Sequence, residues 1–225
     1  MKKLFTIIAL TVLFSMNAQL IAVTENGITG QRLSTSNAAN HGDIGSNAVD
    51  LSYSSSASTT NGATGNASTA IGPNTTASGD SSTAMGDGTI ASGEYSTAMG
   101  NNTTASGDSS TAMGDGTIAS GSRSTAMGRG TEASGNYSTA MGRNSKASGT
   151  FSTAMGYETT ASGVISTAMG DKTTASEYAS TAMGYETTAS GSRSTAMGFF
   201  TTASGDNSTA MGDETTASGN ASTAM

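Results

Sequence analysis

From Ile71 onward the chain repeats one 14-residue string, and an array this strict leaves few folds open. Met85, Met99, Met113, Met127, Met141, Met155, Met169, Met183, Met197, Met211 and Met225 hold a single register, which Ile71 begins. The consensus reads STAMGxxTTASGxx, in eleven full units running from Ile71 to Ala224. A fixed period of this kind means that each unit is one supersecondary element stacked on the next. Within a unit there are two halves, each built on Ala-x-Gly: Ala84 to Gly86, then Ala91 to Gly93.

Each half reads as a short strand followed by a turn. Neighbouring side chains on a strand point to opposite faces, so Thr83 and Met85 share one face while Ala84 takes the other. In the second half Ile90 and Ser92 share a face and Ala91 opposes them, with Thr replacing Ile90 in most later copies, as at Thr104, Thr160 and Thr188. Two such strands laid back to back put the Ala side chains into a thin interior. The second strand then turns a Thr/Ser face to solvent, and the first leaves a file of Met, one per layer, that needs a cover. The glycines at 86 and 93 are expected where the chain turns, taking backbone angles closed to other residues.

The interior is too thin for one chain to be comfortable alone. Ordering 14 residues costs more backbone entropy than one Met and two Ala return on burial. Association through the Met file is the simplest remedy, and three-fold symmetry would bring three files to one axis. Eleven layers at about 4.7–4.9 Å each make a rod of about 50 Å.

Composition narrows the function. Hydrophobic residues are only 34% and there is no Cys, so neither an ordinary globular core nor disulfides can supply rigidity. Lys2 and Lys3, the apolar run from Leu4 to Phe14 and the small-residue exit from Ser15 to Ala18 predict a cleaved signal peptide over residues 1–18, and hence export. The run is too short for a permanent span. Without Lys2 and Lys3 the chain carries seven basic and 16 acidic residues, a balance that argues against nucleic acid or anionic lipid as a partner.

The unit resembles the head repeat of YadA-like trimeric autotransporter adhesins, whose pattern is close to NSVAIGxxSxAxG. The matching string is Ser82-Thr83-Ala84-Met85-Gly86, closed by Ala91 and Gly93, and the resemblance covers Ile71 to Met225. It implies an all-β, left-handed parallel β-roll of 14-residue coils, homotrimeric, displayed on a bacterial surface or outer membrane, or released outside the cell, and used for attachment. In it the stripe from Met85 to Met211 is the trimer axis. The departures are Thr for the family's Val, Met for its Ile, and Glu177 at a Gly position, where a local irregularity is expected. The chain stops inside a repeat at Met225, with no coiled-coil stalk or barrel anchor after the array. Membrane attachment is therefore expected only through a C-terminal part outside this sequence. A structural surface fibre presenting a chaperone-type C-terminal domain is the alternative.

Before the array, residues 19–45 read as a flexible or lightly structured leader. Residues 46–70 read as an N-terminal cap with a degenerate repeat, in which Asp50 stands where Ala is expected; residues 71–225 are the head repeats. No catalytic, cofactor or metal site is expected. The single His, His41, falls in the polar leader and reads as a solvated loop residue. Recurring acids such as Asp80, Asp87, Asp108, Asp115 and Asp213 suit turns, since the Gly-Gly-x-Gly-x-Asp calcium nonapeptide is absent. Tyr157, Tyr185, Phe199 and Phe200 in one turn column are the candidate ligand contacts, and Tyr95, Tyr137, Phe151 and Ile165 fall in the other; packing between layers or subunits is their simpler role. The Thr rank at 104, 160, 174, 188, 202 and 216 also raises an ice-binding solenoid, but Ile90, Ile118, Glu132 and Lys146 interrupt it.

Overall fold

The computed structural model describes residues 20–225. The signal-peptide reading lies outside the described residues. Two sheets face each other along the chain's long stack. One has 15 strands and the other 12, and successive coils add one strand to each. The first sheet begins with β1 (Leu20–Glu25), β2 (Ile28–Leu33) and β3 (Val49–Tyr53), and continues through β5 (Thr69–Pro73) and β7 (Thr83–Asp87) to β27 (Thr223–Ala224). The second begins with β4 (Gly62–Ala63) and β6 (Thr76–Ala77) and runs to β26 (Thr216–Ala217).

From β5 onward pairing is parallel and in perfect repeat register. Thr83, Ala84, Met85 and Gly86 lie opposite Thr97, Ala98, Met99 and Gly100, and the same offset of 14 holds to the last coil. Backbone bonds such as Thr83 N–H to Ser96 C=O at 2.9 Å and Ser92 N–H to Ala105 C=O at 2.9 Å carry the ladder from layer to layer. The all-β parallel roll of 14-residue coils expected from the repeat is the structure found.

The core is an alanine column from each sheet. Ala84, Ala91 and their copies through Ala210 are fully buried, as the alternation requires. Ser82 and Thr89, two positions before Ala84 and Ala91 on the same inward face, are buried beside them, so the interior is half hydroxyl. In three copies the Ser of this column donates to the carbonyl three residues back, Ser68, Ser180 and Ser222 each at 2.7 Å, whereas the buried hydroxyls of Ser82, Ser96 and the other copies through Ser208 find no partner among the described residues. Where it forms, the bond serves both the hydroxyl and a turn carbonyl without needing a second chain.

The two glycine columns have different causes. Gly86 lies at φ +130°, and a Cβ there would sit 1.8 Å from the Gly100 carbonyl oxygen. Gly93 has no unusual φ; it is excluded from larger residues only because a Cβ would meet Gly107 O at 2.2 Å. The expectation that both columns supply special angles is thus corrected for the second: close approach of stacked backbones, not conformation, demands glycine there. The left-handed turn positions are instead held mostly by other residues, among them Tyr95, Asn102, Ile165 and Glu186.

Glu177 is accommodated by a local rearrangement. Elsewhere in its column the glycine N–H shares the alanine carbonyl one coil on, as Gly163 N does with Ala175 O at 3.3 Å. Glu177 N turns to Ser180 Oγ at 3.2 Å, and its side chain leaves the buried column for solvent.

Candidate interaction surfaces

The predicted axis residues form one unbroken file. Met85 through Met211 pair Met-on-Met in neighbouring strands of the first sheet, with Ile71 opposite Met85 at the N-terminal end. Each is half-buried, flanked by half-buried Thr on the same face. The opposite face carries the Thr rank: Thr160, Thr174, Thr188, Thr202 and Thr216 are in register, while Ile90 and Ile118 project outward and Lys146 pairs with Glu132 at 3.3 Å. The interruptions of that rank are real, and two of them bind each other.

Between the faces run two turn edges, one following the Met strand and one following the short strand. On the first edge three of the four candidate contacts come together. Tyr185 stacks on Phe199 with centroids 5.0 Å apart, and Phe200 meets both edge-on at 5.5 and 4.4 Å. Tyr157 stands apart, two coils earlier, under the Arg143 guanidinium at 5.4 Å. Its phenol is pushed above the ordinary tyrosine value by its hydrogen bond to Glu158, and by that carboxylate's charge.

The second edge holds a longer row. Arg123 lies over Tyr137 at 5.2 Å and also hydrogen-bonds its hydroxyl; Tyr137 stacks on Phe151 at 4.9 Å; Ile165 and Tyr178 follow in the next two coils, and Arg193 lies over Tyr178 at 6.0 Å. Tyr137, Phe151 and Ile165 all occupy left-handed backbone, at φ 58°, 58° and 60°. For L-residues that conformation costs about 1–2 kcal/mol, and for a β-branched residue it is an outlier that asks for a reason.

The acids of the second edge tie layers together. Asp80 Oδ1 accepts from Asn66 N–H at 3.0 Å, and Asp108 and Asp206 repeat the contact to Glu94 N and Ser192 N. Asn136 does the same for Ser122 N. The backbone and side-chain donors of Asn66 hold the Asp80 carboxyl below its usual range. Among the described residues no group of three His, Cys, Asp or Glu is placed to hold a metal ion.

The leader differs most from its reading. β1 and β2 form an antiparallel hairpin, β2 pairs in parallel with β3, and the segment buries Arg32, His41 and Asp50. His41, expected in a solvated loop, has a side chain only 1% exposed. Asp50 takes the inward position filled by Ala in every later coil. Its Oδ2 accepts from Arg32 Nε and His41 Nδ1, both at 3.1 Å, and its Oδ1 accepts from Ser52 Oγ at 2.6 Å and Ser52 N at 3.0 Å. Arg32 in turn donates to Glu25 at 2.8 Å and to Gly42 O at 3.0 Å. One signal could have exposed this cluster: a carboxylate at an inward position must find a cation, and Arg32 and His41 are the nearest candidates upstream. Ser52, His41 and Asp50 do not make a nucleophile relay, because serine and carboxylate both address the same ring nitrogen in a buried site. Burial lowers the His41 pKa below its ordinary value, against the opposing pull of Asp50.

Fold and surfaces together define a parallel β-solenoid module. The model of the YadA head domain repeat matches residues 63–89, 91–117, 119–145, 133–159, 147–173, 161–186, 175–201 and 203–225, and the chain belongs to that family. None of the curated proteins compared with it matches.

Proposed function

We propose that this chain is the head of an exported bacterial surface adhesin, assembled as a homotrimer along the Met file and attaching non-covalently to host, matrix or other cells. The observation that carries it is the uninterrupted, half-buried file from Met85 to Met211. A methionine left at the surface in every layer has apolar area to gain from a partner, at about 25 cal/mol per Å² removed from water. A file ten residues long is matched in length and chemistry only by another like it. Three copies on one rod multiply weak contacts with a repeated ligand into avidity. The surfaces offered to that ligand are the turn edges, where Tyr157, Tyr185, Phe199 and Phe200 lie.

Light scattering on residues 19–225, with circular dichroism on the same sample, tests the assembly. A β-rich trimer is expected. A folded monomer would overturn it, and substituting Met127 and Met155 by Glu in the middle of the file is expected to turn trimer into monomer.

A further inference from the structure

The cap closes one sheet and leaves the other open. At the N-terminal end of the second sheet, residues 42–45 cover β4: Gly42 N–H donates to Asn61 C=O at 2.8 Å and Gly45 N–H to Ala63 C=O at 3.0 Å. The first sheet ends in β1, which among the described residues pairs only with β2.

The hairpin fixes which backbone groups β1 leaves over. Its turn is two residues long, Asn26 at φ 52° and Gly27 at φ 80°, both left-handed as a type I′ turn requires. Glu25 and Ile28 close that turn as a hydrogen-bonded pair, and bonded pairs alternate from there along the ladder. Val23 and Ile21 therefore direct their backbone groups to β2, while Thr24, Ala22 and Leu20 turn theirs outward. β2 keeps the same phase on its far side. Thr29, opposite Thr24, accepts from Asn47 N–H at 2.9 Å, and Gln31, opposite Ala22, donates to Ala48 C=O at 2.8 Å. Sheet edges are commonly blunted by Lys, Pro, a bulge or brevity. β1 has none of these: its six residues pair in simple register with β2, and its one charge, Glu25, is held by Arg32 at 2.8 Å. Leu20 and Ile21 are 47% and 43% exposed.

We infer that β1 docks the β1 of a second copy, added antiparallel, so that two rods join end to end. Strand addition of this kind satisfies the outward backbone groups directly. Centred on Ala22, the pairing is self-complementary: Leu20 of one copy faces Thr24 of the other, Ala22 faces its own counterpart, and all three outward positions are used. Charge favours this occupant. Beyond Lys2 and Lys3 each copy carries 16 acidic residues against seven basic ones, so rods repel over most of their surface, whereas β1 brings no unpaired charge to the meeting. Symmetry favours it as well, and here the inference rests on the assembly proposed above. The two-fold of an antiparallel strand pair runs along the sheet normal, and with the Met file on the axis that normal points at the three-fold. Two-folds crossing a three-fold at right angles generate a closed group of six chains. Three β1 strands at one tip then meet three at another simultaneously, each contact reinforcing the others. A foreign strand can fill one open side; a second tip presents three in matching places.

Light scattering on residues 19–225 over a concentration series, with small-angle X-ray scattering on the same samples, tests the contact. Mass is expected to rise from three chains when dilute to six when concentrated, the longest dimension doubling while the cross-section stays constant. A mass that stays at three up to the solubility limit overturns the tip contact and leaves the Met axis standing. A rise from one chain to two with the same lengthening upholds the tip contact and overturns the trimer. A rise without lengthening is side-by-side association and overturns the tip contact. Ala22→Pro provides the second arm, since it removes an outward N–H that β2 does not use. The trimer should remain and the six-chain species vanish, whereas Ala22→Val should keep both. Doubling of the proline variant to the unsubstituted extent overturns the contact. If the proline weakens the hairpin, seen as lost hydrogen-exchange protection in β2, Thr24→Lys places a charge on the open side without touching the backbone and should abolish doubling in the same way; doubling that survives it also overturns the contact.

Discussion

Replacing Asp50 by Ala sets two lines of reasoning against each other. By the logic of the repeat it restores the residue found at every later inward position, and consensus substitutions commonly add about 0.5–2 kcal/mol. The structure demands the opposite sign. Asp50 is fully buried and so, at 3%, is the Arg32 side chain that donates to it. Removing the carboxylate leaves a buried guanidinium with Glu25 and one carbonyl, and takes from His41 and Ser52 the carboxylate they share, leaving them only each other at 3.2 Å. Breaking one side of a buried ion pair costs about 3–5 kcal/mol. Because coils in a solenoid answer mainly to their neighbours, that loss falls on the hairpin and first coil, not on the rod. Hydrogen exchange read by mass spectrometry resolves this: amides of β1, β2 and β3 should lose protection by roughly two to three and a half orders of magnitude, at tenfold per about 1.4 kcal/mol. Amides beyond Thr97 should be unchanged. Equal or slower exchange over Leu20–Tyr53 in the variant would refute the argument. Arg32→Met with Asp50→Ala, which removes both charges, should recover much of the protection.

Three further outcomes are expected. The His41 pKa is depressed in the folded chain, so between that value and about 6.5 the unfolded cap binds more protons; cap stability should be complete above pH 6.5 and fall as the pH drops through that window. Hydrogen exchange over β1 and β2 at pH 7.5 and 5.5, corrected for intrinsic rates, checks this, and His41→Gln should flatten the dependence. Gly121→Ala would place a methyl 2.0 Å from the Gly135 carbonyl oxygen, and since backbone must move, a cost at or above about 1–3 kcal/mol is expected in thermal melts. Ile165→Gly should relieve left-handed strain worth about 1–2 kcal/mol and raise the melting temperature of an unassembled chain such as the Met127→Glu/Met155→Glu variant, with no gain refuting the strain.

What the sequence disclosed was whatever repeats. Met85 and its copies fix the register, and alternation around Ala84 and Ala91 assigns inside and outside without further information. Glu177 announces its irregularity because it breaks a column. Two kinds of fact were hidden. Left-handed turns fell on Tyr137, Phe151 and Ile165, because neighbouring layers impose the path of each turn and override the preference of the residue. The Arg32–Asp50–His41 cluster joins residues nine to 18 positions apart in a segment with no period, so only the inward placement of Asp50 hinted at it. Among the candidate contacts, Tyr185, Phe199 and Phe200 share a turn column in sequence, yet only the folded stack packs them together and leaves Tyr157 apart.

The identity of successive coils has a genetic consequence. Ala84 meets Ala98 as Ala98 meets Ala112, and the glycine that clears one layer clears the next, so any whole coil can be removed or duplicated without creating a misfit. Recombination between near-identical stretches of the gene would then lengthen or shorten the rod by about 4.7–4.9 Å at a time. Rod length becomes a heritable quantity that varies by count, while the cap at Asp50 and the exception at Glu177 remain fixed points against which the count is taken.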